Sequence, residues 1–167
     1  MIIGKGELSM LFKKKIKNEN IISPLEGKIV KLGDVEDAVF ASEALGKGVA
    51  VEPTVGELRA PSNGEITTIF PTGHAVGLTT ETGVEVLMHI GMDTVELKGE
   101  GFTTNVKQGD KVKQGDLLVS FDIDFIKKAG KPVITPVVIT NTANFKDIEA
   151  TNNVNIVHGE TLLTIVK

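Results

Sequence analysis

The sequence predicts an all-β fold, a sandwich or closed barrel with a few short helices. Three observations carry this expectation. Short runs rich in β-branched residues recur along the chain. Gly, Pro, Asn and Asp separate them, and two pairs of segments echo each other as hairpin units.

In chain order the strand signals fall at residues 28–30, 49–51, 65–70, 84–90, 117–123, 137–139 and 162–166. Residues 37–45 and 124–129 read as short helices, and 146–150 as a turn of one. SPLEGKIVKL echoes APSNGEITTI, both of the form Pro-x-x-Gly-x-Ile. GDKVKQGDLLVSF echoes NNVNIVHGETLLTIV. Each half reads as strand, tight turn, strand, so duplicated hairpin motifs are expected.

Residues 1–20 differ from the rest. ELSMLFKKKIKNEN is basic within a chain of net charge -4. Leu8, Leu11, Phe12 and Ile16 fall near one helical face, with Lys13, Lys14, Lys15 and Lys17 mostly elsewhere. The segment reads as a flexible basic tail. A short amphipathic helix of this kind can also make peripheral contact with anionic lipid. Gly4 and Gly6 weaken such a helix, and an isolated helix so short is marginal in water. Residues 21–167 are expected to form one domain.

Composition excludes several function classes. Seven Phe with no Tyr or Trp make a poor base-stacking platform, and the net charge exerts no pull towards nucleic acid. The chain has no cysteine, which removes disulfides, thiol catalysis and cysteine-zinc sites. No apolar run reaches the roughly 18 residues that span a bilayer, and no secretory signal is legible. A cytoplasmic location is the expectation.

The chemistry then falls to three histidines, His74, His89 and His158. Residues 72–91 read as one hairpin. A two-residue loop at Glu81 and Thr82 would set His74 opposite His89. A three-residue loop with Gly83 in the left-handed region would slip the register by one and make them diagonal neighbours. Two adjacent imidazoles can bind a metal, or divide the work of nucleophile and charge stabiliser. Histidine also suits transient phosphorylation, because its pKa of about 6.5 leaves a neutral nitrogen available near pH 7. His158, ahead of the last strand, reads as a surface histidine.

The surroundings of His89 carry a longer pattern. It runs Gly83, Val84, Glu85, Val86, Leu87, Met88, His89, Ile90, Gly91, Met92, Asp93, Thr94, Val95. A glycine, two free positions, three apolar residues and a histidine are followed by apolar, glycine, apolar, any, threonine, apolar. This resembles the signature of the glucose family of IIA components of the bacterial phosphoenolpyruvate-dependent sugar phosphotransferase system. SPLEGKIVKLGDVEDAVFASEALGKGVAVEP, NGEITTIFPTGHAVGL, TPVVITN and GETLLTIV extend the likeness over residues 21–167.

The resemblance implies an antiparallel β-sandwich or flattened barrel that acts as a phosphocarrier, a phosphotransferase component with a phosphohistidine intermediate. By it, His89 accepts a phosphoryl group from the phosphocarrier protein HPr and passes it to a cysteine of a sugar permease's IIB domain. His74 stabilises the phosphoryl group and Thr72 orients His74. Phe40, Phe70 and Leu87 belong to an apolar partner-binding rim, and Asp37 and Asp93 meet an arginine of HPr. No cofactor is required, although His74 and His89 can share zinc with a regulatory partner. The pattern departs from common relatives at Leu87 and Met88, where bulkier or β-branched residues are frequent, and at Gly73, where Asn is.

Two other readings compete. HIGMD resembles the His-x-Gly-x-Asp stretch of zinc metallopeptidases on a related β-fold, but their further ligands, a His-x-His pair among them, are missing. SPLEGKIV and VKQGDKVKQGDLLVSF echo biotin or lipoate carrier domains, but no lysine-bearing modification turn lies between them.

Overall fold

The computed structural model describes residues 17–167. Its strands are β1 (Glu19–Ile22), β2 (Gly27–Lys31), β3 (Lys47–Pro53), β4 (Glu57–Arg59), β5 (Gly64–Ile69), β6 (Ala75–Thr80) and β7 (Glu85–His89). β8 (Phe102–Thr104), β9 (Lys111–Val112), β10 (Leu117–Phe121), β11 (Thr135–Ile139), β12 (Asp147–Ala150), β13 (Asn155–Ile156) and β14 (Thr161–Val166) follow. The α-helices are α1 (Ala38–Ala41) and α2 (Ile123–Lys128).

All pairings are antiparallel. One large sheet runs β13-β2-β3-β11-β7-β6-β5-β9, and two small ones run β1-β14-β12 and β4-β10-β8. Ile21 and Leu162 from one small sheet, Leu58 and Leu118 from the other, and Leu78, Met88 and Ile139 from the large one share a single core. The fold is all-β, as the strand signals predicted.

The sequence echoes are structural. Ile22 N–H donates to Pro61 O at 3.1 Å, and Arg59 N–H donates to Pro24 O at 2.9 Å. Such reciprocity is what a two-fold relation between duplicated units produces. Ser23 N–H donates to Glu160 O and Ala60 N–H to Asp116 O, each at 2.8 Å. The two hairpin turns close alike, with Asp116 Oδ2 accepting from Lys113 N–H and Glu160 Oε1 from Val157 N–H, both at 2.9 Å.

Two sequence expectations are corrected. Residues 146–150 form no helical turn. Residues 147–150 are β12, because Ile148 pairs with Ile165 and turns its side chain into the core, a partner no local propensity reveals. His158 is half-buried rather than a surface residue, with Nε2 covered and unpartnered.

The basic tail expected at the start lies mostly outside the described residues. β1 begins at Glu19, where Glu19 and Asn20 pair with Ile165 and Thr164 of β14.

Strand alternation sets up the site. On β7, Val86 and Met88 enter the main core, so Leu87 and His89 face the other side. There a second apolar cluster of Leu32, Val35, Phe40, Ala50, Met92 and Val138 packs against Leu87.

Candidate active site

The hairpin adopts the three-residue loop. Thr80 N–H donates to Val84 O at 2.9 Å, Gly83 N–H to Thr80 O at 3.0 Å, and Gly83 sits at φ +93°. The register is therefore Ala75 opposite His89 and Gly77 opposite Leu87. His74 stands one position beyond the strand, diagonal to His89, with its carbonyl accepting from Ile90 N–H at 2.7 Å.

The β5–β6 turn brings the first imidazole in. Phe70 N–H donates to Ala75 O at 3.1 Å and Gly73 N–H to Phe70 O at 2.8 Å. Gly73 is at φ +76°, and a Cβ there would lie 2.9 Å from Thr104 Cγ2 and 3.3 Å from Phe102 Cβ. A side chain would be both strained and crowded. The turn also sets Thr72 Oγ1 2.5 Å from His74 Nδ1.

The two imidazole centroids are 5.0 Å apart, with their planes at 82°. Phe70 lies edge-on to His74 at 5.1 Å, and Phe40 tilts against His89 at 5.2 Å. His74 is only 2% exposed, whereas Phe70 is 44% exposed. Phe40 and Phe70 thus flank the pair with aromatic surface, and Phe70 reaches solvent.

His89 holds its second nitrogen against the backbone. Nδ1 is 2.7 Å from Gly91 O. A carbonyl can only accept, so Nδ1 carries the proton of the neutral ring and Nε2 keeps a free lone pair. Burial pushes His74 down from 6.5 to about 4, and the neighbouring His89 pushes it the same way. Burial also lowers His89, against the Gly91 hydrogen bond and the charges of Asp37 and Asp93, which raise it. Both rings are uncharged near neutral pH.

Asp37 does more than lend charge. Its Oδ1 accepts from Val39 N–H at 2.9 Å and Phe40 N–H at 3.3 Å, capping α1. The cap places Phe40 beside His89. Asp93 is exposed at φ +56°.

The structure thus gathers His74, His89, Thr72, Phe40 and Phe70 in one cluster, packs Leu87 against the apolar cluster that holds Phe40, and brings the charges of Asp37 and Asp93 within reach of His89. The residue reading missed the carbonyl of Gly91 and the hydroxyl of Thr94. Gly91 and Thr94 stand in the signature, but a residue's type does not show where its backbone oxygen points. Among the described residues, no group of three or more His, Cys, Asp or Glu gathers to hold a metal. Nor is any helix there long and apolar enough to cross a membrane.

These features define a β-sandwich domain with a surface site built on two uncharged histidines. A family model described as the phosphoenolpyruvate-dependent sugar phosphotransferase system, EIIA 1, matches residues 19–145, and the chain belongs to that family. The beta-glucoside-specific EIIBCA component of the phosphotransferase system of Bacillus subtilis (strain 168) is 52% identical over 127 residues. That match covers 76% of this chain and 21% of the relative, so the chain spans about a fifth of that protein's length. The glucose permease IIA from Mycoplasma capricolum has a similar structure, with a TM-score of 0.81 and 38% identity. It is matched over 89% of this chain and 96% of its own.

Proposed function

We propose that His89 relays a phosphoryl group through Nε2, taking it from phosphorylated HPr and passing it to a cysteine of the IIB domain of a sugar permease. The observation that supports this most directly is the Gly91 carbonyl on Nδ1, which leaves Nε2 as the unprotonated nucleophile. As Nε2 bonds to phosphorus, the bond from phosphorus to the donor's ring nitrogen breaks. Its electron pair stays on the donor, and the Nδ1 proton does not move.

Transfer between proteins needs alignment and charge stabilisation more than covalent chemistry. With Thr72 donating to Nδ1 of His74, the proton of His74 sits on Nε2 and can meet a phosphoryl oxygen. Phe40 and Phe70 help exclude water, which would otherwise hydrolyse the phosphohistidine. Asp37 and Asp93 attract an arginine of HPr. Once His89 gains about -1.5 to -2 charges, they disfavour a second phosphorylated donor and so favour one-way traffic.

The test is reconstitution with phosphoenolpyruvate, enzyme I and HPr. Wild type acquires an acid-labile, base-stable phosphate on His89, and His89→Gln acquires none. His74→Gln accepts phosphate but passes it on slowly. Labelling that survives in His89→Gln would sink the assignment, and wild-type onward transfer by His74→Gln would remove the role given to His74.

The same face suits regulatory binding while unphosphorylated. His74 and His89 supply two of the four donors that tetrahedral zinc takes, so a partner carboxylate would have to help complete the site.

A further inference from the structure

The Gly91 carbonyl that holds Nδ1 of His89 is itself held on both sides. It belongs to the Gly91–Met92 peptide, whose N–H donates to Pro132 O at 3.1 Å. The preceding peptide is gripped by Thr94, whose hydroxyl donates to Ile90 O at 2.5 Å. Thr94 is 0% exposed. Its methyl closes the other side, because a Cβ on Gly91 would stand 2.5 Å from Thr94 Cγ2 and 2.6 Å from Pro132 O. Gly91 reaches this close approach at φ +74°. One buried threonine therefore fixes both the backbone direction and the space at the residue that orients the His89 ring.

We propose that Thr94 is a positioning residue whose hydroxyl sets which ring nitrogen of His89 carries the proton. Resting on the phosphocarrier reading above, it thereby sets which nitrogen takes the phosphoryl group. The physical reason is local. The tautomer of an imidazole follows the hydrogen bond made by its other nitrogen. A carbonyl free to swing away from Nδ1 stops stabilising the Nδ1–H form, and the proton redistributes to Nε2. The nucleophilic nitrogen is then blocked.

The experiment measures 15N shifts of the imidazole nitrogens in the unphosphorylated protein near pH 7, for wild type, Thr94→Val and Thr94→Ser. Wild type shows His89 protonated on Nδ1. Thr94→Val, which keeps the shape and drops the hydroxyl, lowers the Nδ1–H to Nε2–H ratio about three- to tenfold, the worth of one ordinary hydrogen bond. Thr94→Ser, which keeps the hydroxyl, retains the wild-type ratio. Phosphate mapping after labelling finds Nε2 in wild type and Thr94→Ser, with slower labelling of Thr94→Val.

An unchanged ratio in a folded Thr94→Val overturns the proposal, as does a ratio in Thr94→Ser shifted towards Nε2–H. Should Thr94→Val fail to fold, wild type and Thr94→Ser still decide, since Nε2–H in either refutes it. The tautomer measurement needs no phosphoryl donor. Failure to label wild-type His89 would therefore strike the phosphocarrier reading alone.

Discussion

His74 should make this domain acid-sensitive in a way that one substitution removes. Burial holds its folded pKa near 4, against 6.5 for the ordinary group. Between those values the unfolded chain binds a proton that the folded chain refuses, so stability falls as pH falls. At about 1.4 kcal/mol per pH unit the whole interval is worth about 3 kcal/mol. By about pH 4.5 most of that has developed, and nearby solvent screens part, leaving about 2 kcal/mol. For a domain of this size that is a fall in Tm of roughly 4–8 °C.

The assay is thermal unfolding of wild type and His74→Gln near pH 7 and near pH 4.5. Carboxylates and His89 titrate in both proteins, so the difference between the two declines isolates His74. Wild type should lose roughly 4–8 °C more than the variant. Equal declines would refute the reasoning, as would an NMR titration of His74 with its midpoint at 6 or above.

Two further outcomes follow from the geometry. Asp37→Ala removes the cap of α1 and should cost about 1 kcal/mol in urea unfolding. It should also slow phosphoryl acceptance, because Phe40 loses its anchor beside His89. Asp37→Asn keeps a capping oxygen and should retain most of the stability, and an equal loss in both variants would discard the capping account. Gly73→Val should destabilise by about 2 kcal/mol or more, through a left-handed φ forbidden to β-branched residues and the contact with Thr104. Gly73→Asn tolerates that φ better and should cost about 1 kcal/mol less in chemical denaturation, so equal costs would leave crowding as the whole effect.

The strands show which features of a sequence are legible. The β-branched runs at 49–51, 137–139 and 162–166 lie inside β3, β11 and β14, because strands buried in a sandwich must be apolar. The short strands β1, β4, β8 and β12 were not read, since a strand of three or four residues takes its identity from its neighbour rather than its own composition. The Pro-x-x-Gly-x-Ile echo was readable because a duplicated unit repeats the same turn requirements. At the site, residue spacing brought His74 and His89 together but allowed two registers. The loop at Gly83 chose between them.

By itself the sequence determined the all-β class, the duplicated hairpins and the candidate histidine pair. Local patterns suffice for these, because side-chain type and period act on the residues that carry them. Tertiary structure decided the diagonal register, the tilt of Phe40 against His89 under the Asp37 cap, and the Gly91 carbonyl on Nδ1. It also decided that His74 is buried, and that Thr94 grips the loop that orients His89. Each of these depends on where a backbone oxygen or a distant side chain arrives in space. That is set by packing between strands far apart in the chain.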